Sequence, residues 1–444
     1  MNLRLPILSL AFGLSLPTAF AYPPWIRPAY EGLIRYEQNY VFRINNPDYF
    51  HSIGGRSVGL PSRYFPENKP EFKLLTVELP VDEALIYGFD EIPAELKVTR
   101  GGKSYVKFLI HPESRDLYID LIKKYGAKEE YTATSLSSYR SLVIWKADQP
   151  GSELMVKLSL NRKIGGVVRN LEGEWIQRAN GASALVHTIN PETLEQMGIG
   201  MIDEPASITP SEINGGMQIR RWPTDSPAKR RLIPMFSLGA TTPVNTRLSQ
   251  ASPLLEEYIK RSGLSAQQFI EKHIIAPVTR QLAYLAVEEG IVLEPHAQNI
   301  LMEFDENGLP TGKFWYRDFG GFSVDPGLRK AAGKDFSFLP KNLTPESLKP
   351  YSPDGILGSL EKYFVDGNMY GLTRSLETQH PSINVDWMRT TYSKHMHAAL
   401  AARLGTPSAS GRVTELAFNR RSNNGKADSA RLLCTAKTMD QPRP

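Results

Sequence analysis

Cysteine is almost missing from this chain of 444 residues, Cys434 being the only one. An intramolecular disulfide is therefore impossible, and a cysteine-built zinc site is excluded. Long apolar runs are scarce as well: beyond the amino terminus, no segment has the length and hydrophobicity to span a bilayer. No block of like charge dominates. The formal net charge is +5, and only Lys229-Arg230-Arg231 and Arg420-Arg421 form small basic clusters. No nucleic-acid-binding motif accompanies them, so nucleic acid is not an expected partner. No internal repeat divides the chain into equal units.

What is present begins with the leader. Met1 to Ala21 carries Arg4, an apolar run from Leu5 to Phe20, and Ala-Phe-Ala at residues 19–21. This is the layout of a cleavable secretory signal, with the mature chain starting near Tyr22 and exported to a periplasmic or secreted location. Pro6 and Pro17 argue against a permanent span. If the leader is not cleaved, the chain is cytoplasmic.

The remaining length suggests two or three lobes. Residues 22–70, rich in Pro, Tyr, Gly and Asn, read as irregular wrapping with short strands. Phe72 to Leu79 and Ser104 to Ile110 read as strands. A short helix from Leu117 to Lys124 closes at Gly126. Leu142 to Trp145 and Leu154 to Leu160 form a hairpin about the turn Asp148-Gln149-Pro150-Gly151. Ile164 onward enters a helix through Arg169. Leu185 to Ile189, Met201 to Asp203 and Met217 to Trp222 read as strands. Ser252-Pro253 opens a helix, with proline at its first position. Another runs from Ser265 to Glu289, with a break or kink at Pro277 and a stop at Gly290. On it Ile270, Ile274, Leu282, Leu285 and Ala286 recur at helical spacing and form core. Gly355 to Phe364, Leu372 to Thr378 and Val385 to Leu404 are helical. The whole is α+β: a strand-rich N-terminal lobe over 22–245, a central sheet-bearing, palm-like lobe over 246–335, and a helical, thumb-like C-terminal lobe over 336–405. A polar tail fills 406–444.

Chemistry concentrates between Gly290 and Asp325. A short strand (Ile291, Val292, Leu293) delivers Glu294, His296, Gln298 and Asn299 to its end. A hairpin follows, turning at Asp305, Asn307 and Gly308, and its return strand delivers Arg317 and Asp318 just before two glycines. Carboxylate and amide oxygens suit a hard divalent metal such as Mg²⁺ and the phosphates it bridges. Asn299 and Asp318 are the natural metal-side or phosphate-side pair, and His296 can donate to a phosphate oxygen. A second set lies at 134–169: a hydroxyl-rich turn carrying Ser138 and Arg140, then Lys157 near a strand end, then Arg169. Arginine forks and hydroxyls together cradle phosphates.

Together these segments resemble a known family. Ser138-Tyr139-Arg140-Ser141 is similar to its Ser-x-Arg-Thr motif. Lys157-Leu158-Ser159-Leu160 followed by Arg169 is similar to its Lys-Leu-Ser-Leu…Arg motif. Glu294-Pro295-His296-Ala297-Gln298-Asn299, then Arg317-Asp318, resembles its Glu-x-His-x-Gln-Asn and Arg-Asp elements. The family is the NRPS-independent siderophore synthetases (IucA/IucC-like), here as an exported member. The resemblance implies a fingers-palm-thumb architecture that binds ATP and Mg²⁺ and serves siderophore biosynthesis and iron acquisition. It implies adenylation of a citrate-like carboxylate and its condensation with an amine or alcohol. It also implies roles. Ser138, Arg140, Lys157, Arg169, His296 and Asn299 would bind the nucleotide, with Lys157, Arg169 and His296 in catalysis. Glu294, Asn299 and Asp318 would organise the metal. The partners are these small molecules; a homodimer is left open as an assembly.

The pattern also departs from the family. Its His-Pro-rich N-terminal element has no match beyond His111-Pro112, and Gly165-Gly166 stands where Thr or Ser follows the lysine strand. Two other readings stay open. Glu294 precedes Asn299 by five positions, and Asp318-Phe319-Gly320 resembles the metal-binding motif of kinases, with Lys157 as the strand lysine; a kinase-like phosphotransferase fits these. A non-catalytic exported binding protein of the same fold would fit the leader.

Overall fold

The computed structural model describes residues 28–40, 59–164, 167–223, 231–240, 253–325, 329–330, 332–339, 360–404, 414–418 and 434–438. The leader, Gly165-Gly166, Lys229-Arg230, Ser252, residues 355–359 and most of the polar tail lie outside them.

In chain order the strands are β1 (Phe72–Pro80), β2 (Ala84–Tyr87), β3 (Lys97–Arg100), β4 (Lys103–Ile110), β5 (Lys128–Ser135), β6 (Ser141–Lys146), β7 (Gln149–Leu158), β8 (Leu160–Ile164), β9 (Val167–Arg169), β10 (Ile199–Ile202), β11 (Ala206–Pro210), β12 (Met217–Arg220), β13 (Arg231–Pro234), β14 (Ile291–Val292), β15 (Ile300–Phe304), β16 (Pro310–Arg317) and β17 (Ser323–Val324). Nine of them form one sheet in the order β2-β11-β12-β7-β6-β5-β1-β4-β3. A second sheet runs β10-β16-β15-β13, with β10 parallel to β16. The chain is α+β.

The central strands β6 and β12 are buried along nearly their whole length, so the alternation of a half-exposed strand is lost and both faces are covered. One face packs a cluster built on Leu74, Phe108, Tyr131, Ile144 and Val156. Between the two sheets sits a helix, Pro28–Asn39, whose Tyr30, Leu33 and Ile34 pack against Val143 and Trp145 of the large sheet and Leu301 of the small one. That helix corrects the reading of residues 22–70 as irregular. Its apolar positions follow helical spacing, but its opening Pro28 and internal Gly32 disguise it.

The largest cluster joins the small sheet to the helices that follow. Helix Ala266–Ile270 begins in a reciprocal capping box between Ser265 and Gln268 and runs through a π turn, Glu271–Ile275, into Ala276–Glu288. The π turn ends two residues before Pro277. A wider turn relieves the missing proline N–H without ending the helix. Gly290, at φ 64°, then reverses the chain.

Three further expectations change. Residues 185–189 are not a strand, because helix Gly173–Val186 runs into them. Arg169 is not on a helix: it ends β9, which pairs antiparallel with β8, and the β-branched Val167 and Val168 before it favour a strand. The β6–β7 hairpin turns earlier than expected, since Lys146 already pairs with Gln149. In the tail, 414–418 and 434–438 pair as antiparallel strands that composition did not suggest. Among the described residues no helix is long and apolar enough to cross a membrane.

Candidate functional site

The large sheet and the β15–β16 hairpin meet at one cleft of about 250 Å³. From the sheet side it is lined by Ser138, Arg140, Lys157, Arg169, Asn170 and Gln218, and from the other side by Glu294, His296, Gln298, Asp318 and the two glycines that follow. Val168 and Trp175, 49% and 44% exposed, stand among the lining residues as apolar lips.

Each polar group is held by local structure. The turn from Leu136 to Ser141 closes when Leu136 N–H donates to Ser141 O at 2.9 Å. Inside it Tyr139 adopts φ 62°, a left-handed conformation that costs a non-glycine residue about 1–2 kcal/mol. Burial of its ring, against Phe65 and Leu160, holds it there. The strained turn places Ser138 and Arg140 on either side of that anchor. Arg140 is then pinned by donating to Arg169 O at 2.9 Å. Lys157 comes from β7, where it pairs in register with Gln218 of β12.

Asp318 follows the last residue of β16 and is also left-handed, at φ 70°. A three-residue 3-10 turn, Phe319–Gly321, comes next, and a Cβ on Gly321 would run into the Glu294 carboxylate. Gly321 thus lets backbone pass close to Glu294. Glu294 in turn takes the hydrogen bond of the Tyr363 phenol, whose acidity burial and this neighbour both suppress. His296 accepts from the N–H of Gln298 through Nδ1 at 3.3 Å.

Electrostatically the cleft is a network. Lys157 bonds Asp318, Arg220 bonds Glu204, Arg220 lies 3.8 Å from Asp318, and Lys157 lies 4.0 Å from Glu204. Burial pulls the Lys157 ammonium below its ordinary value, against the opposing pull of Asp318 and Glu204. Burial would also raise the Asp318 carboxyl, but Lys157, Arg220 and Arg140 outweigh it and hold it well below the usual carboxylate range. The cleft-lining side chains include three cations, Arg140, Lys157 and Arg169, against two carboxylates, Glu294 and Asp318. Such a surface attracts an anion.

Of the residues singled out from sequence, Ser138, Arg140, Lys157, Arg169, Glu294, His296 and Asp318 line this cleft together. Asn299 does not. It is buried at the start of the β15–β16 hairpin, where its N–H donates to His296 O at 2.9 Å and its carbonyl accepts from Arg317 N–H at 3.0 Å. Sequence reasoning missed Glu204, Arg220, Gln218 and Trp175. The strand carrying Gln218 and Arg220 was legible, but its pairing with the Lys157 strand was not. Among the described residues no group of three or more His, Cys, Asp or Glu gathers as a metal cage.

The IucA / IucC family model matches residues 109–240, and the model of the ferric iron reductase FhuF-like transporters matches residues 272–381. No curated protein matches the sequence. Among solved structures, the petrobactin biosynthesis protein AsbB of Bacillus anthracis superposes with a TM-score of 0.62 at 16% identity, over 84% of this chain and 69% of that one. The ATP-bound aerobactin synthetase IucA of Klebsiella pneumoniae gives 0.60 at 16%, over 85% and 75%. Aerobactin synthetase IucC from the same organism gives 0.59 at 18%, over 78% and 68%. The chain thus resembles the IucA / IucC family across its central sequence and carries the fold of the siderophore synthetases.

Proposed function

We propose that this chain is an ATP-dependent ligase that adenylates a carboxylate and passes the acyl group to an amine or alcohol, as part of siderophore biosynthesis. The observation that carries the reading is the convergence of Arg140, Lys157 and Arg169 with Ser138 on one cleft opposite His296 and Asp318. Attack of a carboxylate on a phosphate brings two anions together. Fixed cations offset that repulsion, and they act most strongly where water is excluded. Lys157, buried to 5% exposure, and Arg140, pinned by a backbone carbonyl, are held in place before any substrate arrives. In this reading Arg169 and Ser138 bind the outer phosphate oxygens, and His296 orients the carboxylate or a phosphate oxygen. A citrate-like polycarboxylate suits a cleft with excess positive charge.

Mg²⁺ is part of the proposal. It is commonly held by one or two carboxylates and the substrate's phosphates, a demand that Glu294 and Asp318 fit without a full protein cage. When bound it would neutralise phosphate charge. Lys157 shares Asp318 with it and, with Arg220 and Arg140, holds that carboxyl well below the usual carboxylate range. Location is a proposal too: the leader at residues 1–21 exports the chain, and fractionation of a tagged full chain tests this, intact cytosolic protein overturning it.

The experiment is a product assay with Mg·ATP, citrate and a panel of amines. AMP and pyrophosphate are expected, dependent on the carboxylate. ADP in their place would make the chain a phosphotransferase. Absence of both nucleotide binding and turnover would leave an inert scaffold.

A further inference from the structure

Gln218 takes no part in the roles assigned above, yet it sits in the cleft's lining opposite Lys157. Partners in register send their side chains to the same face, so the amide and the ammonium are neighbours. The residue is 1% exposed, and its Nε2 has no hydrogen-bond partner among the described residues. An unpaired buried amide destabilises a fold, and an apolar side chain of similar length would fill the same space without that penalty. Two residues along the same strand, Arg220 is paired with Glu204 through both Nε, at 3.2 Å, and Nη2. The strand therefore presents one cation paired inside the protein and one amide whose Nε2 is not.

We propose that Gln218 is a ligand-binding residue, whose Nε2 donates to an oxygen of the anion, phosphate or carboxylate, that Lys157 holds. The inference rests on the reading of the cleft as an anion site and adds a selecting contact to it. Lys157 supplies charge in no particular direction, whereas an amide N–H demands an acceptor oxygen at one place. A site built around such a donor discriminates against ligands lacking the matching acceptor.

The test is isothermal titration of the full chain with pyrophosphate in one arm and citrate in the other, beside thermal melts. Gln218→Met is expected to weaken binding by about tenfold in one arm, which identifies the oxygen contacted, while the melting temperature holds or rises. Gln218→Glu, which replaces the donor with a negative charge, is expected to weaken that arm further. Gln218→Asn, which keeps the amide but withdraws it by one methylene, guards against a failure of the methionine variant to fold and is expected to lose affinity in the same arm. Binding by Gln218→Met or Gln218→Asn within twofold of the unsubstituted chain in both arms would overturn the proposal, as would a lowered melting temperature with affinity unchanged. If the unsubstituted chain binds neither probe, the anion-site reading fails and this one falls with it. If that chain binds and the variants bind equally, only the role of Gln218 falls.

Discussion

Two ion pairs lie on consecutive residues at the end of β16, and they face opposite worlds. Arg317 bonds Glu37 with the two side chains 3% and 1% exposed. Its Nε donates to Gln298 O at 2.7 Å, and the other Glu37 oxygen accepts from Ser137 N–H at 2.9 Å and its hydroxyl at 2.6 Å. The pair's bonding capacity is spent inside the protein, tying the first helix to both sheets. Lys157 and Asp318, next along the chain, also pair, but the Asp318 side chain is 33% exposed and opens on the cleft. Arg317 ends β16, and the left-handed backbone of Asp318 that follows turns its carboxylate toward the cleft. A sealed pair fixes the fold, while an open one keeps charge at hand for a ligand.

The sharpest way to break this contrast is to remove one partner from each. Glu37→Ala leaves Arg317 buried without a counter-charge, which costs about 3–5 kcal/mol. A urea melt is expected to move its midpoint accordingly, and a loss below about 1 kcal/mol would mean the sealed pair does not fix the fold. Lys157→Ala is expected to act the other way round. Asp318 keeps Arg220 nearby, so stability changes little, while AMP formation falls by about 10²–10³-fold. Asp318→Ala should match it. Near-normal turnover in either variant would remove the open pair from the chemistry.

The two pairs also measure what the sequence could disclose. Asp318, Lys157, Arg140 and Arg169 were legible because polar residues gather at strand ends beside glycines, and because their order resembles a family's motifs. Glu37 was not, since its helix was hidden behind Pro28 and Gly32, and its partner lies 280 residues away. Gln218 and Glu204 escaped for a related reason. Local periodicity marks a strand but says nothing of which strand lies beside it, and pairing across the nine-stranded sheet is long-range. Arg169 reached the cleft from a strand although a helix was expected, because β9 pairs with β8 and that pairing is not marked by local periodicity. The architecture of the elements was local information; the assembly of the site was not.

Acid sharpens the comparison from another side. Asp318 has a depressed folded pKa, so its contribution is complete above the ordinary carboxylate value and is lost only as pH falls through the still lower folded value. A step from pH 7 to 5 leaves the Asp318 carboxylate ionised, so a loss of stability over that range does not come from Asp318. His111 is the candidate. It is fully buried against Tyr64 and Phe72, accepts from Glu113 N–H at 3.1 Å, and burial lowers it to about 3. With the folded value below the unfolded one, stability is complete above about 6.5 and declines as pH falls below it, by about 2 kcal/mol at pH 5. His111→Asn, which retains a capping acceptor for the turn, is expected to flatten that slope in urea melts at the two pH values. An unchanged slope would assign the acid sensitivity to another group.

The smallest effect tests whether the division between sealed and open holds on the opposite wall. Ser137 and Ser138 are also consecutive, and they divide as Arg317 and Asp318 do. Ser137 donates to the sealed Glu37, whereas Ser138 lines the cleft and accepts from Ser141 N–H at 3.1 Å. Ser137→Ala takes a donor from a buried carboxylate and is expected to lower stability by about 1–3 kcal/mol with nucleotide affinity unchanged. Ser138→Ala should weaken nucleotide binding by about fivefold, near 1 kcal/mol, with a smaller change in melting temperature than its neighbour. Titration and melting of both variants read the two quantities separately. If the serines prove interchangeable in both readouts, the boundary between fold and site does not run between adjacent residues, and the open and sealed pairs would be parts of one structural network.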